Sequence, residues 1–508
     1  MSHISVKSAL ISVYHKKNIE PLLEVLAKND VTIYSTGGTR KFIEESGLEV
    51  KTVEGLTGYP SIFKGRVKTL HPKVMGGILF RRNDKDEVAQ AEEYDIPSID
   101  LVVVDLYPFG ATLSSGASHE EIIEKIDIGG ISLIRAAAKN YNDVLIISSM
   151  TQYDEAVKIL SENNCSASLE QRRKFATYAF SISSHYDTEI FNYFNTKAQL
   201  LHFKKSISTA TTLRYGENPH QEGVFYGALE EMLTQLHGKA ISYNNLVDID
   251  AAIALIEEFA GDTVFAILKH TNACGVANGK TVKEAYLKAF EADTVSAFGG
   301  VLIANSEVNK DAASEINKLF FEILVAPGFG NDALEILKSK KNRILLVQTQ
   351  NISDRFQFKS ILNGVIQQER DLETEGPEQF SEVTRRKPTA DETAVMVFAN
   401  KIVKHTKSNA IVLARNGQMI ASGVGQTSRV DAVKQAISKA RAFGFDVTGA
   451  VMASDAFFPF ADSAEIALNA GIYAIVQPGG SVRDEDTVKF CNEHDMTMVF
   501  TGKRHFKH

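Results

Sequence analysis

Apolar runs and helical stripes alternate almost from the start of the chain. Residues 9–13 form a short apolar run that predicts a strand, and Ile19, Leu22, Leu23 and Leu26 recur at helical spacing behind it. A second strand is expected over 31–35, followed by Thr36-Gly37-Gly38-Thr39 and a helix that stops near Gly47. Further strands at 101–104 and 144–147, with a helical stripe over 131–138 between them, extend this βαβα opening into one layered parallel-sheet domain over 1–195. The periodicity then lapses into a polar passage containing Ser206, Ser208, Thr209, Thr211 and Thr212, read as a domain boundary.

Alternation resumes beyond it. Strands are expected at 264–268 and 300–304, with helices at 282–292 and 312–321. From Asp391 the pattern runs helix, strand 410–414, Asn416-Gly417, strand 420–424 and helix 430–443. Strands at 450–453, 474–477 and 497–500 then alternate with helices at 463–469 and 485–493. Asn-Gly between two apolar runs predicts a hairpin. The second region, 196–508, therefore divides into two α/β subdomains of about 205–365 and 380–508.

Composition narrows the function classes. The chain has 508 residues, 44% hydrophobic and 23% charged, enough for several well-buried cores. A formal net charge of -8 argues against nucleic acid as a partner, because no basic excess is available for a phosphate backbone. No apolar stretch approaches the roughly 20 residues that span a bilayer, and no signal-peptide pattern opens the chain, so no membrane partner and a cytoplasmic location are expected. Cys165, Cys274 and Cys491 have no paired spacing, which predicts reduced thiols and no metal site.

Candidate chemistry gathers at predicted strand ends. Lys269-His270 delivers a cation and a proton carrier together, a pairing suited to moving a proton while negative charge develops. Lys64-Gly65-Arg66-Val67-Lys68-Thr69-Leu70-His71-Pro72 packs three cations, a hydroxyl and a histidine into one loop. With the helix start at Thr36, Gly37, Gly38 and Thr39 it would hold a phosphate monoester. Tyr107 follows a strand end, Asp127-Ile128-Gly129-Gly130 precedes a helix and Lys139 closes that helix, so a phenol, a carboxylate and an amine are expected to converge.

These motifs resemble a known family. The 65–72 loop, Leu106-Tyr107-Pro108-Phe109, Asp127-Ile128-Gly129-Gly130 and Ala136-Ala137-Ala138-Lys139-Asn140 resemble the IMP cyclohydrolase domain of the bifunctional purine biosynthesis family. Leu213-Arg214-Tyr215-Gly216-Glu217-Asn218-Pro219-His220-Gln221, the Lys269-His270 segment, Ser296-Ala297-Phe298-Gly299-Gly300, Gly425-Gln426-Thr427-Ser428-Arg429, Ser454-Asp455-Ala456-Phe457-Phe458-Pro459-Phe460 and Arg504-His505-Phe506-Lys507-His508 resemble its AICAR formyltransferase domain. The order is kept over the whole chain. The resemblance implies an α/β fold with a methylglyoxal-synthase-like N-terminal domain and two cytidine-deaminase-like α/β subdomains. It also implies a homodimer and the last two steps of IMP synthesis. AICAR takes a formyl group from 10-formyltetrahydrofolate, the cosubstrate, releasing reduced folate, and FAICAR then closes with loss of water.

By the same resemblance, His270 is the general base and Lys269 stabilises the oxyanion or protonates the leaving nitrogen. Asn409 and Arg429 orient the nucleotide, Arg214, Tyr215 and His508 contact it, and Phe457, Pro459 and Asp462 face the folate. Lys68, Tyr107, Asp127 and Lys139 serve ring closure, and Ser12, Lys16, Thr36, Gly37, Gly38, Thr39, Arg66 and Thr69 bind the substrate. Two departures from the family pattern stand out. Ser12-Val13-Tyr14-His15-Lys16-Lys17-Asn18 replaces the usual Ser-Val-Ser-Asp-Lys-Thr-Gly, putting a bulky Tyr14 beside the phosphate side. Ala273 replaces a proline after Asn272, which predicts a looser turn.

Rival readings are a non-catalytic nucleotide-binding protein and a zinc-type nucleoside deaminase. His119-Glu120-Glu121 and His220-Gln221-Glu222 each supply half of the deaminase signature, and the P-C-x-x-C half is absent. Residues 275–281 resemble a P-loop one residue short between its glycines.

Overall fold

The computed structural model describes residues 3–63 and 66–508; Lys64 and Gly65 of the basic loop lie outside the described residues. The chain divides into two compact units, Met1–Ser208 and Thr209–His508.

In the first unit five parallel strands lie in the order Lys51–Thr52, Thr32–Ser35, Ser8–Val13, Leu101–Asp105 and Leu145–Ile147. The central strands are buried apolar runs, as a sheet covered on both faces requires. Parallel strands need crossovers that return the chain to the starting edge. The helices entering at the carboxyl edge, Gly37–Glu45, Pro72–Leu79 and Gly129–Lys139, therefore present their N-termini there. Helix Leu169–Ala198 starts in a Ser168/Gln171 capping box and runs past residue 195, and the two units divide between Ser208 and Thr209, within the polar passage read as the boundary. Tertiary packing of Phe175, Ala176, Ala179 and Tyr186 sustains it where sequence periodicity weakens.

The second unit is built on one twelve-stranded sheet. Its order is Leu233–His237, Ile344–Gln348, Ile323–Ala326, Val301–Ala304, Val264–Lys269, Asn272–Asn278, Gln418–Gly423, Ile411–Arg415, Val451–Ser454, Ala474–Gln477, Thr497–Phe500, Ser381–Glu382. The sheet consists of two halves with the same plan. A helix, Tyr243–Ile256 or Ala390–Lys404, leads into an antiparallel hairpin, Val264–Lys269/Asn272–Asn278 or Ile411–Arg415/Gln418–Gly423. A second helix, Val282–Glu291 or Arg429–Ala442, is followed by three mutually parallel strands, and a short antiparallel strand closes each outer edge. The halves join where Ala277 pairs with Gln418.

Residues 272–278 correct the sequence reading. The turn formers Asn272-Ala273-Cys274-Gly275 lie in a strand, and the turn itself is His270-Thr271. Gly275 belongs there because a Cβ would stand 1.8 Å from the Ala289 carbonyl oxygen. Ala273 pairs with Leu268 beside a bulge, so the missing proline concerns the strand and not the turn. The P-loop-like 275–281 stretch is likewise strand followed by a helix cap at Thr281.

Candidate active sites

At the carboxyl edge of the five-stranded sheet, strand Ser8–Val13 ends in Tyr14-His15-Lys16 and strand Thr32–Ser35 in Thr36-Gly37-Gly38. Ser12 is the penultimate residue of the first strand. Thr39 ties the two strand ends together, its hydroxyl donating to the Val13 carbonyl at 2.9 Å, and Thr36 donates to Glu54 at 3.0 Å. Gly37 takes φ +56°, and a Cβ there would lie 3.3 Å from Lys68 Nζ; one on Gly38 would lie 4.0 Å from Lys16 Nζ. Two ammonium groups thus flank a helix N-terminus that side chains leave open, a suitable cradle for an anion. Thr69 is buried beside Gly129, and Arg66 pairs with Glu124 at the surface.

Strand Leu101–Asp105 supplies the opposite wall. Tyr107 is 41% exposed, its ring set edge-on to Tyr14 at 5.4 Å between centroids. Lys125 Nζ stands 5.1 Å from the Tyr14 ring centre and 5.8 Å from that of Tyr107. Asp127 accepts the Gly130 N–H at 2.6 Å, and its own N–H donates to the Tyr186 hydroxyl at 2.9 Å. Burial pushes the Asp127 carboxyl above its usual range against the pull of nearby backbone N–H groups. Burial, with the Asp127 and Tyr14 charges behind it, raises the Tyr107 phenol. Two proton-holding groups therefore face a cation-lined cleft.

Lys139 lies in the last turn of helix Gly129–Lys139, exposed, with Asp127 before its first turn. At 1.5 Å per residue the backbone ends of this helix are about 15 Å apart. A cation in that last turn complements the helix dipole. Sequence reading also missed Lys125 and the His15–Asp105 pair at 2.6 Å, which nothing in the sequence distinguishes from surface polar groups.

In the second unit, His270 and Thr271 are the central residues of the two-residue turn, with φ +51° and +65°. A turn with both central residues left-handed normally uses Asn-Gly, as the matching turn of the other half does at Asn416-Gly417 with φ +50° and +68°. An L-residue in this conformation costs roughly 1–2 kcal/mol, and a β-branched threonine is least suited to it. Asp248, on helix Tyr243–Ile256, accepts the Thr271 N–H at 2.7 Å. Lys269 Nζ donates to the Phe298 carbonyl at 3.0 Å, and that loop is shaped by Asp293, which accepts the Ser296 N–H and pairs with Lys439 at 2.8 Å.

Asn272 joins this turn to the other half by accepting the Lys407 N–H at 3.0 Å. Two residues on, Asn409 donates to the Gln426 carbonyl at 2.8 Å and accepts from Arg429 at 2.9 Å. Arg429 also pairs with buried Asp455, whose carboxylate accepts the Ala410 N–H. Phe457, half-buried, and Pro459, exposed, follow Asp455 out of the sheet, and Asp462 opens helix Asp462–Asn469. Lys507 and Ser408 exchange hydrogen bonds at 3.0 Å each, which brings the terminal His508 beside the Asn409 segment. Arg214 covers the Tyr215 ring at 5.3 Å, where the Tyr215 carbonyl accepts the Tyr243 N–H at the start of the helix that carries Asp248.

Of the two motif halves of the deaminase reading, the first is otherwise engaged. His119 Nδ1 is 2.6 Å from the Tyr193 hydroxyl, Glu121 closes a capping box with Ser118, and His220 is exposed in a loop. Among the described residues no group of three His, Cys, Asp or Glu side chains is placed to hold a metal ion, and no helix is long and apolar enough to cross a membrane.

A layered parallel unit and a duplicated α/β unit, each with polar clusters at a sheet edge, define a two-site α/β enzyme. The chain belongs to the AICARFT/IMPCHase bienzyme family, whose model matches residues 137–439, and an MGS-like domain matches residues 18–132. Curated relatives described as bifunctional purine biosynthesis protein PurH match along essentially the whole chain. The protein of Bacteroides thetaiotaomicron is 58% identical over 503 residues, 99% of each chain. That of Aquifex aeolicus is 46% identical over 512 residues, 98% of this chain and all of its own. That of Acetivibrio thermocellus is 45% identical over 520 residues, 99% of this chain and all of its own.

Proposed function

We propose that this chain carries out both reactions for which its family is named, formyl transfer to AICAR and dehydrative closure of FAICAR to IMP, with 10-formyltetrahydrofolate as formyl donor. In the first reaction a bond forms between the AICAR amine and the formyl carbon while the bond from that carbon to the folate nitrogen breaks. The amine proton passes to the leaving nitrogen. The acceptor amine is conjugated with the ring carboxamide and is a poor nucleophile, so orientation and proton removal must supply much of the acceleration. His270 takes the proton, and Lys269 stabilises the developing oxyanion and returns a proton to the leaving nitrogen. Asn409 and Arg429 orient the reacting groups, Arg214, Tyr215 and His508 hold the nucleotide, and Phe457, Pro459 and Asp462 face the folate.

In the second reaction the carboxamide nitrogen attacks the formyl carbon and water leaves. The nucleotide phosphate sits over Gly37 and Gly38 between Lys16 and Lys68, with Ser12, Thr36, Thr39, Arg66 and Thr69 around it. Asp127 and Tyr107 exchange protons with the amide nitrogen and the departing hydroxyl. Lys139, with Tyr107, passes protons or stabilises the tetrahedral alkoxide.

The observation that carries the formyl-transfer assignment is the His270-Thr271 turn, where a conformation suited to Asn-Gly holds His270 directly after Lys269, whose ammonium is bonded to the Phe298 carbonyl. Lys269→Ala is expected to abolish formyl transfer and spare cyclisation of supplied FAICAR, and Lys68→Ala to do the reverse. Loss of both activities from either folded variant contradicts the two-site assignment. A homodimer accompanies this reading, supported by the exposed hairpin Phe356–Ile361/Gly364–Glu369, since an isolated two-stranded hairpin is marginal in water.

A further inference from the structure

The same tight turn is made twice in the twelve-stranded sheet from different residues. Asn416-Gly417 adopts it with little strain, whereas His270-Thr271 must be held in it. Two of the bonds that hold it are internal: the Thr271 hydroxyl donates to the His270 carbonyl at 2.6 Å, and Asn272 Nδ2 donates to the same oxygen at 2.8 Å. Such bonds move with the turn and cannot fix its direction. The Asp248 carboxylate accepts the Thr271 N–H at 2.7 Å from within helix Tyr243–Ile256, a rigid element with its own capping box and buried face.

We propose that Asp248 is the positioning residue for His270, its carboxylate holding the left-handed turn so that the imidazole is aimed at the acceptor amine. This rests on the proposed role of His270. Neighbouring charges have other partners. Glu322 accepts from Asn245 at 3.1 Å and lies 3.6 Å from Lys239, and Lys269 is held by Phe298. Burial raises the Asp248 carboxyl, while the N–H of Thr271, the charge of His270 and the N–H of His270 favour the ionised form. Sequence gives no hint of this pairing, because Asp248 occupies an ordinary helical position.

The test is steady-state kinetics on the full-length protein for His270→Ala, Asp248→Ala, Asp248→Asn and the double variant Asp248→Ala/Thr271→Gly. A turn that is no longer aimed should lower formyl-transfer kcat on the order of 100-fold in Asp248→Ala, with the AICAR KM within about threefold of wild type. Asp248→Asn keeps an oxygen that can accept the Thr271 N–H and should lie within about tenfold of wild type. Glycine at 271 relieves the strain, so the double variant should recover about tenfold or more over Asp248→Ala. Cyclisation of FAICAR should be unchanged throughout. Wild-type kcat in Asp248→Ala, or a double variant as slow as Asp248→Ala, overturns the proposal. Full formyl transfer by His270→Ala, in which Asp248 is intact, instead removes the reading of His270 on which the proposal stands.

Discussion

Arg429 donates to the side-chain oxygen of Asn409 at 2.9 Å while another of its nitrogens pairs with Asp455, which is 1% exposed. The guanidinium fork fixes the Asn409 amide and neutralises a buried carboxylate together. Lysine carries the charge without the fork. Arg429→Lys is expected to lower formyl transfer by about 10-fold or more with a small stability loss, read by kinetics and thermal melting. Arg429→Ala strands the carboxylate and should cost about 3–5 kcal/mol in denaturant unfolding of the second unit.

In the N-terminal cleft, Tyr107→Phe and Asp127→Asn each remove one proton-holding group without changing shape. Each should slow conversion of FAICAR to IMP by about 10²–10⁴-fold while formyl transfer is retained. Unchanged cyclisation in either variant contradicts its assigned role.

Gly37→Ala tests the phosphate cradle apart from the chemistry. Alanine is strained at φ +56° and its Cβ would press on Lys68. The expected outcome is a raised KM for FAICAR, with kcat less affected.

His505 lies between Asp371 at 2.6 Å and Glu375 at 2.9 Å. Burial lowers its pKa, but the hydrogen bonds to Asp371 and Glu375 outweigh burial and raise it to about 9, from 6.5 for the free side chain. A raised pKa contributes stability that is fully present below pH 6.5 and is lost as pH rises through about 9. The thermal midpoint of the second unit should therefore fall across that window, and His505→Gln should flatten the fall. An unchanged slope in the variant contradicts the linkage.

Much of this was legible in the chain. The strands of both parallel regions announce themselves as buried apolar runs, and Asn416-Gly417 marks its hairpin. The matching hairpin was hidden because His-Thr is a poor turn signal and Asn272-Ala273-Cys274-Gly275 reads as loop, although Gly275 is there for its close approach to Ala289. The placing of Lys139 against Asp127 was not legible, because a whole helix stands between their backbones. Asp248 and Lys125 were illegible, since only tertiary packing sets them against His270-Thr271 and Tyr107.

The most direct measurement supplies purified protein with AICAR and 10-formyltetrahydrofolate, follows tetrahydrofolate by absorbance and separates the nucleotides by chromatography. The account predicts IMP and tetrahydrofolate in equal amounts. Folded protein that binds AICAR yet releases no tetrahydrofolate would contradict it, leaving a nucleotide-binding protein without formyl-transfer chemistry.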